Sequence, residues 1–205
     1  MEITKFGNAD SATVLVHPVD KGEVDESARI FEALYAAGYC DFSMMTVVVN
    51  NWNRDLSPWT APAVFKKEAF GDGAGKTLDF ILDNCRDDKS YLIGGYSLAG
   101  LFSLWASTVT DIFTKVAAVS PSVWFPSFID YISSHSVNAS SVYLSLGDKE
   151  EHAKNPLLAS VGDCIRGLEK TISGRNIDCI LEFNEGNHFK DPDIRCIRAF
   201  SHILK

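Results

Sequence analysis

Short β-branched runs alternate with helical patterns along most of the sequence, and this alternation limits the possible folds more than any other feature. Thr46–Val49 has the continuous apolar pattern of a buried strand, whereas Asp25–Ala37 carries its apolar residues at helical spacing and precedes a glycine. Strands separated by helices favour a mostly parallel sheet with helices on both faces. The other predicted strands are Ile3–Phe6, Thr13–Val16 (ending at His17-Pro18), Tyr91–Tyr96, Val116–Val119, Val142–Leu146 and Cys179–Phe183. The sequence therefore predicts an α/β fold, a three-layer α/β/α sandwich with a mostly parallel sheet.

Further helices are predicted between these strands, and an aromatic-rich loop spans Asn50–Phe70. Asp191 is a plausible N-cap for the last helix because Pro192 follows at the first helical position. No linker divides the 205 residues, so we expect one domain over residues 1–205. The additional predicted helices are Gly75–Cys85, Leu98–Ser107, Ala159–Ile172 and one beginning after Asp191-Pro192.

Charge and cysteine usage exclude several classes of function. The net charge is −8, and no stripe of lysines and arginines is present, which argues against a nucleic-acid partner or an anionic membrane surface. The amino terminus lacks the pattern of a secretory signal, so we expect a cytoplasmic protein. The five cysteines are scattered without a C-x-x-C pair, which indicates reduced thiols and neither disulfides nor a metal site. We expect no metal and no cofactor.

A candidate nucleophile lies in the segment GYSLAG, residues 95–100, between a predicted strand and a predicted helix. A serine on such a tight turn exposes its hydroxyl, and small residues two positions before and after it prevent a collision across the turn. Gly95 and Ala99 occupy these positions around Ser97. The alternative is a simple strand-to-helix connection in which Ser97 only caps the helix.

A serine hydroxyl needs a neighbouring base, and His188 lies directly after the last predicted strand. The order serine, acid, histidine along the chain favours His188 over the other four histidines. Asp148, Glu150 and Glu151 follow the strand between Ser97 and His188 and compete for the role of the acid. We select Glu150, and a solvated acidic turn without a catalytic role remains the alternative.

An oxyanion hole needs two N–H donors, and the amide of Leu98 is the first candidate. The second candidate follows His17, where Pro18 has no N–H, so Val19 or Asp20 is expected, with Val19 preferred. Three tryptophans near strand ends could form an apolar substrate pocket, although ordinary packing explains them equally well. These tryptophans are Trp52, Trp59 and Trp124.

With these residues in place, the chain resembles the esterase branch of the α/β-hydrolases, which includes enterochelin esterases and feruloyl-type esterases. The resemblance is carried by GGYSLAGLFSLWA, VAAVSPSVWF, YLSLGDKEE and FNEGNHF, at residues 94–106, 116–125, 143–151 and 183–189. It implies metal-free hydrolysis of a small-molecule carboxylic ester, with roles for Ser97, His188 and Glu150. The resemblance does not extend to the siderophore substrate of those esterases, because a chain this compact has no room for a large lid.

Four other functions compete with ester hydrolysis. An acyltransferase or a thioesterase would use the same three residues, and a non-catalytic binding module would keep only the scaffold. A phosphate-binding loop at GDGAGKT, residues 71–77, is disfavoured because Phe70 stands where that motif needs glycine. The preceding Phe65–Ala69 also lacks the pattern of a buried strand.

Overall fold

The computed structural model describes residues 1–64 and 68–205, which form one seven-stranded sheet in the order β1-β3-β2-β4-β5-β6-β7. Strand β1 is antiparallel to β3, and every other neighbouring pair is parallel. The predicted class, a three-layer fold with a mostly parallel sheet, is confirmed. The strands are β1 (Glu2–Gly7), β2 (Thr13–Val19), β3 (Phe42–Val48), β4 (Ser90–Tyr96), β5 (Phe113–Val119), β6 (Ser141–Gly147) and β7 (Asp178–Asn184).

Helices cover both faces of the sheet, because apolar side chains of the central strands point alternately to either side. The helices are α1 (Val24–Ala36), α2 (Trp52–Asp55), α3 (Ala74–Leu82), α4 (Leu98–Val109), α5 (Phe128–Ser134), α6 (Pro156–Ala159), α7 (Val161–Ser173) and α8 (Pro192–Ile203). Helices α1 and α8 pack together on one face around Leu15, Leu34 and Phe200. Helices α3, α4, α5 and α7 cover the other face with a larger apolar core.

The observed elements depart from the sequence prediction where local patterns are weak. Strand β3 begins at Phe42 because all seven of its residues are buried between β1 and β2, although Ser43 and Met44 are not typical strand residues. The predicted helix Ala159–Ile172 is observed as α7, and the short helix α6, which ends at Ala159, precedes it and was not predicted. Helix α5 was not predicted, and α2 lies inside the predicted loop. Residues 65–67 of that loop lie outside the described residues. They make up most of Phe65–Ala69, the segment that the sequence analysis predicted not to be a buried strand.

The carboxyl ends of the parallel strands gather the candidate residues at one edge of the sheet. Strand β2 continues through Pro18 to Val19, beyond the end predicted at His17-Pro18. Pro18 is tolerated because β2 pairs with β4 only as far as Val16, so no N–H is needed on that side.

None of the helices within residues 1–64 and 68–205 has the length and hydropathy that crossing a bilayer requires.

Candidate active site

Ser97 lies in a strained turn between β4 and α4, with φ at 56° and ψ at −117°. Such a conformation is costly for a residue with a side chain and persists only where the surroundings impose it. The turn is close: a Cβ on Gly95 would lie 2.6 Å from the Cβ of Ala99. The small residues at these two positions therefore allow the turn, as the sequence motif predicted.

The structure brings Ser97, His188 and Glu150 into one hydrogen-bonded chain. The Oγ of Ser97 lies 3.0 Å from Nε2 of His188, and Nδ1 of the same ring lies 2.7 Å from Oε2 of Glu150. The three residues follow β4, β7 and β6, so only the assembled sheet brings them together. This arrangement can move a proton from the hydroxyl to the imidazole while the carboxylate holds the ring.

Of the three competing acids, only Glu150 reaches His188. The carboxylate of Asp148 instead accepts a hydrogen bond from the backbone N–H of Gly186, at 2.7 Å. Glu151 forms a bidentate ion pair with Arg166, with both contacts at 2.9 Å. Glu150 is positioned by a short 3₁₀ turn, Glu150–His152, that directs its side chain back over the end of β6.

Glu150 is buried, yet several donors favour its charged form. Its Oε1 accepts hydrogen bonds from Ser120 Oγ and the Gly147 N–H, both at 2.7 Å, and from Arg195 at 3.2 Å. Burial alone raises the pKa of this carboxyl, but the hydrogen bonds with His188, Ser120 and Gly147 outweigh it and the pKa lies below its ordinary value. Glu150 is therefore ionised at neutral pH.

Arg195 connects the carboxylate to the loop that carries the histidine. Its side chain is only 3% exposed, and the guanidinium also bonds to Ser120 Oγ and to the carbonyls of Glu185 and Asn187. All five donors of an arginine are fixed in one plane, so these contacts hold the loop before His188 at a defined distance from Glu150.

Tyr96 fixes the same loop from the strand side. Its hydroxyl donates to the backbone carbonyl of His188 at 2.6 Å and accepts from Arg195 at 3.2 Å. Burial raises the pKa of Tyr96 to about 12, so the phenol remains a donor throughout the neutral range. The imidazole position is thus set by contacts on its ring and on its backbone.

The backbone donors near Ser97 differ in their availability. Leu98 opens α4, so its N–H belongs to the first turn and has no carbonyl partner within the helix. The Asp20 N–H donates to Oε2 of Glu23 at 2.9 Å, and this bond occupies it. Val19 ends β2 and lies in the wall of a cleft that contains Ser97.

Two clefts meet at Ser97, and the three predicted pocket tryptophans are divided between different environments. One cleft, of about 480 Å³, lies beside the end of β2 and includes Trp52. The other, of about 560 Å³, lies on the far side of Ser97 and includes Trp124. Trp59 is absent from the described lining of both, since it packs against Phe125 and donates its indole N–H to a backbone carbonyl at 2.9 Å.

Residues that the sequence reasoning missed include Arg195, Ser120, Tyr96 and Ser122. Ser122 is buried, and its Oγ lies 3.3 Å from that of Ser97. Arg195 had a detectable signal, because it falls on the buried face of α8 among apolar side chains, where an unpaired charge would be costly. Among the described residues, no cluster of three histidine, cysteine or acidic side chains is arranged to hold a metal ion.

Comparisons with known proteins agree with this architecture. No family model matches the sequence, and no curated protein matches it either. Among solved structures, siderophore hydrolase EstA from Aspergillus nidulans is 18% identical with a TM-score of 0.68, covering 96% of this chain and 85% of that one. Enterochelin esterase from Shigella flexneri is 13% identical with a TM-score of 0.70, covering 99% and 54%. Zea mays acyl-protein thioesterase 2 is 15% identical with a TM-score of 0.63, covering 100% and 99%. The chain therefore has the α/β-hydrolase fold that these esterases share, as its resemblance to the esterase branch implied.

Proposed function

We propose that this protein is a serine hydrolase that cleaves a carboxylic ester of a small molecule through an acyl-enzyme intermediate on Ser97. The observation that carries the proposal is the continuous chain from Ser97 Oγ through His188 to Glu150, with distances of 3.0 Å and 2.7 Å. The strained conformation of Ser97 and the ionised Glu150 add independent support. The esterase structures that share the fold are consistent with the same chemistry.

In the first step, Ser97 Oγ attacks the ester carbonyl carbon while Nε2 of His188 accepts the hydroxyl proton. Glu150 accepts the Nδ1–H of His188 and stabilises the imidazolium that forms. The carbonyl oxygen becomes negatively charged and accepts a hydrogen bond from the Leu98 N–H. We propose Val19 as the second donor, as the sequence indicated. The N–H of Asp20 is bonded to Glu23, and Val19 is paired with Val48 in the β2–β3 ladder, so the Val19 N–H has to leave that ladder to reach the oxyanion.

In the second step, the tetrahedral intermediate collapses and His188 gives its proton to the leaving alkoxide, which departs as an alcohol. A water molecule then attacks the acyl-enzyme, and His188 takes its proton. The second intermediate releases the carboxylic acid and returns the proton to Ser97. Both half-reactions balance without a metal or an organic cofactor.

Labelling with a fluorophosphonate probe tests the proposed nucleophile. We expect wild type to be labelled and to hydrolyse short p-nitrophenyl esters with an initial burst, and Ser97→Ala to lose both activities. Since Ser122 Oγ is only 3.3 Å away, Ser122→Ala is the matched control, and peptide mass spectrometry should locate the label on Ser97. Labelling that persists in Ser97→Ala would assign the chemistry to a different nucleophile.

The same assay separates hydrolysis from related reactions. A panel of acyl esters and thioesters compares an esterase with a thioesterase, and added alcohol reveals acyl transfer. We expect esters to be preferred and the free acid to be the main product.

We further propose that residues 1–205 fold as one α/β-hydrolase domain. Helices α1 and α8, from opposite ends of the chain, pack together on one face of the sheet. A single cooperative unfolding transition is expected from both fluorescence and circular dichroism, and two separated transitions would contradict it.

A further inference from the structure

The two clefts that meet at Ser97 differ in the charges that they expose to solvent: carboxylates in one and lysines in the other. The cleft beside β2, which we call the acidic cleft, is lined by the carboxylates Asp20, Glu23, Glu26 and Glu68. No lysine or arginine is among its lining residues within the part of the chain that the structure describes. Neutral donors contact some of these acids, such as the Asn51 side-chain amide on Glu68 at 2.9 Å, but they leave the charge in place.

The acids of this cleft interact unfavourably when ionised. Burial, followed by the repulsion of Asp193, raises the pKa of Glu26, and the exposed Arg29 offsets this only in part. Burial also raises the pKa of Glu23; the hydrogen bond from the Asp20 N–H opposes this in part, and repulsion by Glu26 and Asp20 adds to the increase. A positive charge placed among these carboxylates would relieve the repulsion and gain from each of them.

His17 provides an independent sign of a ligand in the same cleft. The side chain is 95% buried, since only 5% of the residue is exposed, and its Nδ1 lies 3.2 Å from Ser27 Oγ. The other ring nitrogen, Nε2, has no hydrogen-bond partner among the described residues, and the ring forms part of the wall of the acidic cleft. In the tautomer in which Nδ1–H donates to Ser27 Oγ, Nε2 carries no hydrogen and can accept a hydrogen bond from a bound N–H group.

The cleft on the other side of Ser97, which we call the Trp124 cleft, has the opposite character. Its interior is formed mainly by apolar side chains, including Trp124, Leu158 and Val161, and Lys149 and Lys154 lie at its exposed rim. The carboxylate of Glu150 also lines this cleft, but it is buried and already bonded to Arg195 and His188. A positively charged group is therefore disfavoured there, whereas a hydrophobic group would be sheltered from water.

We propose that the acidic cleft binds the cationic end of the ester substrate, a protonated amine or a guanidinium, and that the Trp124 cleft binds its hydrophobic end. This inference rests on the proposed function, because it places the scissile carbonyl at Ser97 between the two clefts. The carboxylates provide the charge attraction, and His17 Nε2 accepts one N–H of the cation.

Two pairs of isosteric esters test this assignment, because an ammonium group and a methyl group have similar size. The first pair, phenyl 6-aminohexanoate and phenyl heptanoate, places the charge on the acyl side. The second, 6-aminohexyl benzoate and heptyl benzoate, places it on the alcohol side. In one of the pairs we expect the cationic ester to have a kcat/KM roughly tenfold higher, and the preference to decrease with ionic strength.

Single substitutions connect the preference to the acidic cleft. Glu23→Gln and Glu26→Gln should each reduce the cationic preference by roughly threefold. Gln at position 23 can still accept the hydrogen bond from the Asp20 N–H, so the local turn is kept. Glu32→Gln is the matched control: it removes the same charge from α1, the helix that carries Glu26, outside the described lining of the cleft.

The possible outcomes separate this inference from the proposed function. If both neutral esters are hydrolysed at least as well as their cationic partners, or if the preference is unchanged in Glu23→Gln and Glu26→Gln, the cationic assignment is wrong. In that case labelling of Ser97 by the fluorophosphonate and hydrolysis of neutral esters would continue. If no ester is hydrolysed and Ser97 is not labelled, the proposed function itself has failed.

Discussion

His17 is expected to make the stability of the fold depend on pH in a defined window. Its ring is buried at the end of β2 between Ser27 and the ring of Phe200. Burial lowers the pKa of His17 from 6.5 to about 4, because the charged imidazolium would lose its hydration. The folded protein therefore keeps this histidine neutral at pH values where the unfolded chain protonates it.

The sign and size of the effect follow from this difference in pKa. Between pH 6.5 and about 4 the unfolded state binds more protons, so the free energy of unfolding decreases as the pH falls and is unaffected above this window. The linkage relation gives a loss of about 2 kcal/mol at pH 5, and about 3 kcal/mol below the window. This is a substantial part of the 5–15 kcal/mol that is typical of a domain.

The effect can be isolated by comparing wild type with His17→Gln. Urea unfolding followed by tryptophan fluorescence at about pH 7.5 and about pH 5 gives the change in unfolding free energy for each protein. The variant should lose about 2 kcal/mol less than wild type on acidification, whatever its stability at neutral pH. The exposed His152 supplies the control variant, His152→Gln, which should behave as wild type. Equal losses in wild type and His17→Gln would show that the buried ring is not held neutral.

Other substitutions test the support of the site. Arg195→Met should destabilise the fold by about 3–5 kcal/mol and abolish ester hydrolysis, because it leaves the buried carboxylate of Glu150 without its cation. Arg198 is more exposed on the same helix, so Arg198→Met should cost less than about 1 kcal/mol of stability. A similar cost for both arginines, measured by urea unfolding, would contradict this. Gly95→Ala should destabilise the fold by about 1–3 kcal/mol and reduce probe labelling, because the new Cβ meets Ala99. Gly167→Ala, in open space within α7, should instead stabilise the fold by about 0.5–1 kcal/mol, and thermal unfolding compares the two. Glu150→Gln should lower kcat roughly 10³- to 10⁴-fold, since an amide cannot stabilise the imidazolium, and a variant with unchanged kcat would remove the acid from the mechanism.

Much of the fold was predictable because its signals are local. Apolar runs and helical spacing give the order of strands and helices, and this order implies a parallel sheet whose carboxyl edge collects the loops. The turn at Ser97 was also predictable, since its requirements lie within five consecutive residues. The position of His188 followed from its place after the last strand.

Other features depend on neighbours that are distant in sequence, and only the tertiary structure decided them. Three acids follow β6, and the contacts of Gly186 and Arg166 separate Asp148 and Glu151 from the one that faces His188. Strand β3 lies between β1 and β2, and it begins several residues before its β-branched run at Thr46. A strand flanked on both sides is stabilised by pairing and packing more than by the strand propensity of its residues.

The sequence by itself determined the layered α/β architecture, the tight turn at Ser97 and the chain order of serine, acid and histidine. The tertiary structure decided which carboxylate reaches the imidazole, the role of Arg195 in holding both, and the different charges that the two clefts expose to solvent. The physical reason is the range of the interactions: backbone conformation and amphipathic spacing act over a few residues. Hydrogen bonding and electrostatics in a buried site instead depend on which segments the folded chain brings within a few ångströms of each other.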